Sequence, residues 1–187
     1  MNWEDLENAV KNCTGCDLCK GRTNVVIGRG NKNATVLFVG EGPGEQEDLE
    51  GVPFVGKAGQ LFEQCLDAAC FDRSEIYIAN VVKCRPPENR NPLDEECMAC
   101  LPFLRGQFAL IRPRVVVCMG LVASKTLLRH TEPMNRLRGK WENVKGTLFL
   151  TTYHPAALLR NETLKMPFYE DILSVKKVLE EIKNNIL

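Results

Sequence analysis

The chain has no excess of either charge, because 24 Lys and Arg residues balance 24 Asp and Glu residues. A neutral composition excludes attraction of nucleic acid by bulk charge, so such a partner would need a locally basic face. No apolar run approaches the roughly 20 residues needed to span a bilayer, and no signal-peptide pattern is present. We therefore expect a cytoplasmic protein with no membrane partner.

Internal repeats and low-complexity segments are also missing. The length of 187 residues suits one domain with a full core and leaves too little chain for two. We expect a single domain over residues 1–187, present as a monomer.

Cysteine, by contrast, is abundant, with nine residues. A disulfide framework does not suit a chain without a secretion signal, so a metal site or cluster is the better explanation. The candidate ligands are Cys13, Cys16 and Cys19 in a short loop, Cys84 after an apolar run, and Cys97 and Cys100 in C-x-x-C spacing. A zinc site of Cys13, Cys16, Cys97 and Cys100 is one arrangement, but it would leave Cys84 without a role. Cys65, Cys70 and Cys118 lie in apolar periodic runs that are typical of a core.

Residues 40–59 form a glycine-rich stretch directly after the apolar run Val36–Val39. A buried strand that enters such a turn would place Glu41 at its mouth. The stretch nearly matches a phosphate loop, but Ala58 supplies no hydroxyl for a metal ion and Pro53 supplies no N–H. The dinucleotide fingerprint fails as well, because Glu45 stands where its third glycine belongs.

Apolar runs and amphipathic segments alternate along the chain. Strands are predicted at 35–39, 76–82, 115–118 and 147–151, and helices at 3–11, 57–71, 92–111, 121–129 and from 167 onward. This alternation predicts an α/β fold, a three-layer α/β/α sandwich with a central four-stranded, mainly parallel sheet. Ligands bind beyond the carboxyl ends of such strands, which would bring Glu41, Asn80, Lys83 and His154 into one crevice.

Four motifs follow one another in order: Gly40-Glu41-Gly42-Pro43-Gly44, residues 51–56, residues 80–87 with the sequence NVVKCRPP, and residues 154–160 with the sequence HPAALLR. Together they resemble the family 4 uracil-DNA glycosylases, the iron–sulfur branch of the uracil-DNA glycosylase superfamily. The resemblance implies an enzyme that flips uracil out of single- or double-stranded DNA and hydrolyses its N-glycosidic bond. It also implies a four-iron four-sulfur cluster on Cys13, Cys16, Cys84 and Cys100. Cys19 and Cys97 are additional cysteines, and they leave the assignment open at two of the four positions.

The resemblance assigns roles to individual residues. Glu41 and His154 would be catalytic, with Glu45 and Asp48 as alternative activators of water, because Gly42 stands where other superfamily members have an aspartate. Gly42, Glu47, Phe54, Asn80 and His154 would bind uracil. Phe54 would stack on the base, the Asn80 amide would distinguish uracil from cytosine, and Glu47 would reject the methyl group of thymine.

Contacts to DNA are predicted from the same motifs. Lys83, Arg85 and Arg160 would contact phosphates, in a basic rim with Arg90, Arg136, Arg138 and Lys140, and Leu158 would fill the gap left by the flipped base.

Two other functions would explain part of this set of residues. A non-catalytic iron–sulfur or zinc protein that binds nucleic acid would not need Asn80 or His154. A relative that traps uracil-DNA covalently would need a histidine in the loop 85–92, which has none.

Overall fold

The computed structural model describes residues 2–185. Its sheet has six strands: β1 Arg29–Gly30, β2 Val36–Gly40, β3 Ile76–Asn80, β4 Val115–Met119, β5 Trp141–Val144 and β6 Thr147–Thr152, in the order β1-β3-β2-β4-β6-β5. The four inner strands are parallel, as the sequence predicts for strands that are apolar throughout and covered on both faces. All five residues of β2, β3 and β4 are buried.

The predicted number of four strands is wrong, because an antiparallel strand is added at each edge of the sheet. Neither added strand carries an apolar run. β1 has only two residues, and β5 is half-buried or exposed throughout, so hydrophobic periodicity could not reveal either of them.

In the described part of the chain, eight α-helices surround the sheet: α1 Trp3–Lys11, α2 Glu45–Glu50, α3 Lys57–Ala68, α4 Asp94–Ile111, α5 Leu121–Leu128, α6 Met134–Leu137, α7 Pro155–Arg160 and α8 Lys165–Lys183. Asn2 caps α1, because its side-chain oxygen accepts the Asp5 N–H at 2.9 Å. α3 ends before the predicted Phe71, since Cys70 takes a positive φ of 51° that does not continue a right-handed helix.

Two separate cores lie on the two faces of the sheet. Leu37 and Val39 of β2 pack on one face with α4 and α5. Val36 and Phe38 point to the opposite face, where they pack with α3, α7 and α8. This alternation along one strand produces the predicted three layers. Within residues 2–185, no helix is long and apolar enough to cross a bilayer.

The carboxyl end of β6 is held by a buried polar network. Asp171 of α8 accepts a hydrogen bond from the Thr152 hydroxyl at 2.6 Å and forms an ion pair with Arg138. Arg138 also donates to the carbonyl of Pro167 at 2.6 Å. Arg138 is therefore committed inside the fold, and the prediction that it belongs to a phosphate-binding rim is wrong.

Replacing Arg138 with Met should lower the free energy of unfolding by about 3 kcal/mol, because it leaves the buried Asp171 carboxylate without its cation. Urea denaturation of the purified variant measures this loss. The matched control is Arg136→Met, since Arg136 is exposed and should change stability by less than about 0.5 kcal/mol. A loss below about 1 kcal/mol for Arg138→Met would contradict this description of the network.

Candidate active site and cysteine cavity

A cavity of about 260 Å³ opens at the carboxyl edge of the sheet. Three strand ends meet there, because Glu41 directly follows β2, Asn80 ends β3 and His154 follows β6. The six side chains and backbone positions predicted for catalysis and uracil binding all line this cavity: Glu41, Gly42, Glu47, Phe54, Asn80 and His154. The fold thus brings together residues that are up to 113 positions apart in the chain (154 − 41).

Asn80 presents an unsatisfied acceptor inside the site. Its side chain is 2% exposed, and its Oδ1 accepts no hydrogen bond from any residue that the structure describes. Its backbone carbonyl, in contrast, accepts the Lys83 Nζ–H at 2.7 Å. A buried amide oxygen without a partner costs free energy, so this atom is a candidate for contact with a ligand.

Phe54 and His154 form an aromatic wall, with ring centroids 5.8 Å apart and planes inclined by 34°. Phe54 also packs on Phe62 of α3 at 5.5 Å, so its ring belongs both to the core and to the cavity. Its backbone has a positive φ of 58° and lies so close to Gly59 that a Cβ there would overlap it. Gly59 is therefore required for the loop to present Phe54.

Glu47 fixes the loop that carries Phe54. Its Oε1 accepts the backbone N–H groups of Val55 at 3.0 Å and Gly56 at 2.9 Å. These charge-assisted bonds connect α2 to the segment after Phe54. Glu47 thus lines the cavity with a carboxylate whose position is determined by the backbone.

Two ionisable groups in the cavity have shifted pKa values. Burial raises the pKa of Glu41 above its ordinary value, and the positive charge of Arg160 opposes this shift. Burial also lowers the pKa of His154 to about 4, in the same direction as repulsion from Arg160. His154 Nδ1 accepts the Ala156 N–H at 3.1 Å, so the neutral ring carries its proton on Nε2.

Five cysteines surround a second cavity: Cys13, Cys16, Cys19, Cys84 and Cys100. Three of their sulfur atoms accept hydrogen bonds, from Gly15 N to Cys13 at 3.3 Å, from Arg22 Nη1 to Cys84 at 3.2 Å and from Lys83 N to Cys100 at 3.3 Å. Cys97 lies elsewhere, in a surface depression beside Asp94 and Leu121. The alternative zinc set that includes Cys97 is therefore not assembled.

Comparison with known proteins identifies the family. The model of the uracil DNA glycosylase superfamily matches residues 27–175. A type-4 uracil-DNA glycosylase from Pyrobaculum aerophilum is 42% identical over 183 residues, which cover 92% of each chain. One from Thermotoga maritima is 42% identical over 184 residues, which cover 95% of each chain, and one from Saccharolobus solfataricus is 39% identical over 95% of this chain and 87% of its own.

This chain belongs to the type-4 uracil-DNA glycosylases. Two residues that the family motifs carry nevertheless do not lie where the sequence predicts. Lys83 is 1% exposed and its Nζ donates to Asn80 O and to Gln107 Oε1 at 2.6 Å. Its predicted contact with DNA phosphates is wrong, because the ammonium group is enclosed between the sheet and α4.

The predicted wedge, Leu158, does not face solvent. Leu158 is fully buried and packs in the core with Phe62 and Phe168, so its prediction as the residue that enters DNA is wrong. The next residue, Leu159, is 49% exposed. The helical geometry of α7 turns Pro155 and Leu158 inward and Leu159 outward, which the motif alone does not reveal.

Glu45 and Asp48, the two alternative activators of water, do not line the cavity. Asp48 is buried and its carboxylate accepts the backbone N–H groups of Thr23 at 2.9 Å and Asn24 at 3.3 Å. Glu45 lies on the surface within 3.7 Å of Arg85. Glu41 and Glu47 are the two carboxylates that line the cavity within the described part of the chain.

Asn89, Arg90 and Asn91 form one wall of the cavity, whereas the sequence predicted only Arg90 near the site, as part of a basic rim. These residues belong to the loop after Cys84, in which Glu88 and Asn89 both have positive φ. Arg90 is held by two hydrogen bonds to Glu96, at 2.9 and 2.7 Å. The Asn-rich composition indicated a turn but not the direction in which it folds.

The ring of His154 should remain neutral over most of the acidic range, with its proton on Nε2. ¹⁵N NMR of the labelled protein should show one protonated and one unprotonated ring nitrogen and a midpoint near pH 4. The unfolded chain binds this proton near the ordinary value of 6.5, so His154 destabilises the fold progressively as pH falls from about 6.5 towards 4. Titration of His154 at its ordinary value would contradict the burial of the ring.

Proposed function

We propose that this protein excises uracil from DNA by hydrolysing the N-glycosidic bond, which leaves an abasic site. The observation that carries the proposal is the placement of the unpartnered Asn80 Oδ1 and the protonated Nε2 of His154 in one cavity. Membership of the type-4 family supports the same activity. The cavity has a volume of about 260 Å³, which is too small to admit a duplex. The base must therefore leave the duplex stack to enter it.

Recognition of uracil would depend on the orientation of the Asn80 amide. Oδ1 can accept the N3–H of uracil while the NH₂ group donates to O4, whereas cytosine presents an acceptor at N3 and a donor at N4. Phe54 would stack on the base, a contact that typically contributes about 1–3 kcal/mol. Glu47, which is fixed by Val55 and Gly56, would occupy the edge where thymine carries its methyl group. A Cβ at Gly42 would collide with Val82, so glycine lets the loop that lines the pocket pack closely on the segment after β3.

Bond cleavage leaves negative charge on uracil and positive charge on the sugar. His154 Nε2–H would donate to uracil O2 as this charge develops, and a neutral donor that is already oriented requires little rearrangement. The Glu41 carboxylate would stabilise the sugar cation and orient the attacking water. The burial of Asp48 and the surface position of Glu45 support Glu41 in this role.

The mouth of the cavity offers groups that suit a DNA backbone. Arg160 is exposed, lines the cavity and forms no ion pair with any residue among 2–185, so its guanidinium is available for a phosphate. Arg85 is partly exposed beside Glu45 and would form a second contact. We propose Leu159, in place of Leu158, as the side chain that fills the gap left by the flipped base.

We further propose a four-iron four-sulfur cluster on Cys13, Cys16, Cys84 and Cys100. Each thiolate of such a cluster binds a different iron, so the sulfur atoms surround a volume and do not converge on one point. Four of the five cysteines that line the second cavity are the proposed ligands. The N–H donors to three of these sulfur atoms suit thiolate ligands, and the cluster would join the N-terminal loop, the end of β3 and α4.

The remaining sequence predictions concern the whole molecule. We propose a single domain, which the one continuous sheet between two cores supports, and we propose that it acts as a monomer. We also propose a cytoplasmic location, because a chain rich in cysteine and without a secretion signal suits a reducing compartment.

Removal of His154 or Glu41 should reduce the rate of the chemical step. We expect His154→Ala and Glu41→Ala each to lower single-turnover uracil excision by about 100- to 1000-fold, because both groups act mainly in the transition state. The measurement uses a labelled oligonucleotide with one uracil and alkaline cleavage of the product. Arg160→Ala is the control, since loss of a phosphate contact should weaken DNA binding and reduce its salt dependence with less effect on the bound-state rate.

Wild-type protein that binds uracil-containing DNA but releases no uracil would overturn the proposed activity. A Glu41→Ala variant with the wild-type rate would remove Glu41 from the mechanism.

The cluster should give a brown protein with broad visible absorption, whereas zinc would leave it colourless. We expect Cys84→Ala to lose iron, measured after anaerobic purification, because the variant lacks one of the four ligands. Cys118→Ala is the matched control, since Cys118 is buried in β4 outside the cysteine cavity, and its iron content should equal that of the wild type. One zinc per chain without iron would contradict the cluster.

A further inference from the structure

Lys83 is a buried cation between the two cavities. It lies three residues after Asn80, which lines the base pocket, and directly before Cys84, which lines the cysteine cavity. Its side chain is 1% exposed, although lysine is almost never fully buried unless it is paired. The proposed mechanism does not use this ammonium group.

The partners of the Lys83 ammonium are neutral oxygens. Nζ donates to Asn80 O at 2.7 Å and to Gln107 Oε1 at 2.6 Å, and no carboxylate among residues 2–185 lies within ion-pair distance. Its backbone N–H donates to Cys100 Sγ at 3.3 Å. A buried charge costs several kcal/mol unless an opposite charge compensates it, and a thiolate at Cys100 is a source of negative charge that favours the charged form of Lys83.

Gln107 restricts the position of this ammonium group. It is fully buried in α4, and its Nε2 donates to Ile27 O at 2.8 Å. Its Oε1 must therefore point towards Lys83, because the amide group is oriented by the Ile27 contact. Lys83 is consequently held from one side by α4 and holds the Asn80 carbonyl on the other side.

We propose that Lys83 is a positioning residue that couples the cysteine-bound cluster to the uracil pocket. The thiolates of the bound cluster compensate the Lys83 charge, and the Lys83 Nζ fixes the backbone of Asn80 so that its amide faces the base. The inference rests on the proposed function, because it requires both the cluster and uracil recognition by Asn80. It gives the cluster a structural influence on base binding without a redox step.

Coupling of this kind is reciprocal, because each ligand must favour the same conformation of the residue between them. Uracil in the pocket should hold Asn80 and thereby Lys83 in place, and this should slow the loss of the cluster. Loss of the Lys83 ammonium should remove the effect and leave both sites less well ordered.

The test measures iron release from the full-length holoprotein to a chelator, with and without saturating free uracil. Uracil should slow release from the wild type by about fivefold or more, which is the lower end of typical coupling. Lys83→Met should lose iron faster, and uracil should no longer slow the loss. In excision assays the same variant, at full iron occupancy, should raise KM by about tenfold with a smaller change in kcat.

Lys176→Met is the matched control, since Lys176 Nζ also binds two backbone carbonyls, Ala69 O at 2.7 Å and Cys70 O at 2.9 Å. It lines neither cavity, so its iron release and KM should equal those of the wild type.

Uracil protection of Lys83→Met equal to that of the wild type would overturn the inference. If this variant does not fold, the wild type alone decides, because iron release that is insensitive to uracil would overturn the coupling. Wild-type protein without iron, or without uracil excision, would instead show that the proposed function is wrong, and the two failures are therefore distinguishable.

Discussion

The site depends on the close approach of Gly40, Asn80 and Phe54 where β2 pairs with β3. Gly40 of β2 is paired with Asn80 of β3, and a Cβ at Gly40 would overlap both the Asn80 amide oxygen and the Phe54 ring. Only glycine permits this approach. The Asn80 amide and the Phe54 ring therefore meet at the cavity because the neighbouring strand has no side chain at Gly40.

The segment after β3 connects the two cavities. Within five residues the chain supplies Asn80 to the cavity at the carboxyl edge of the sheet, Lys83 to the interior and Cys84 to the cysteine cavity. Both cavities therefore lie beside the carboxyl end of β3, at the edge of the sheet where the parallel strands end. Asn80 of one cavity and Cys84 of the other are therefore separated by only three residues, and one of these is the buried Lys83.

Burial determines the electrostatics of the pocket. Loss of solvent lowers the pKa of His154 and raises that of Glu41, and both shifts favour the neutral form of the group. The neutral imidazole suits a hydrogen-bond donor to a developing anion. The Arg160 guanidinium opposes the shift of Glu41 and so favours its carboxylate, which is the form needed beside a sugar cation.

The sequence by itself determined the four parallel strands and most helices, because apolar periodicity and glycine-rich turns are local properties of the chain. The family motifs, and not this periodicity, indicated the residues that line the cavity from Glu41 to His154. It could not reveal β5, whose pairing with β6 involves half-exposed residues without an apolar pattern. Tertiary structure alone decided that Leu158 points into the core while Leu159 faces solvent, and that Lys83 is enclosed beside Gln107. A motif specifies residue type and order, whereas the direction of a side chain depends on which neighbouring element covers it.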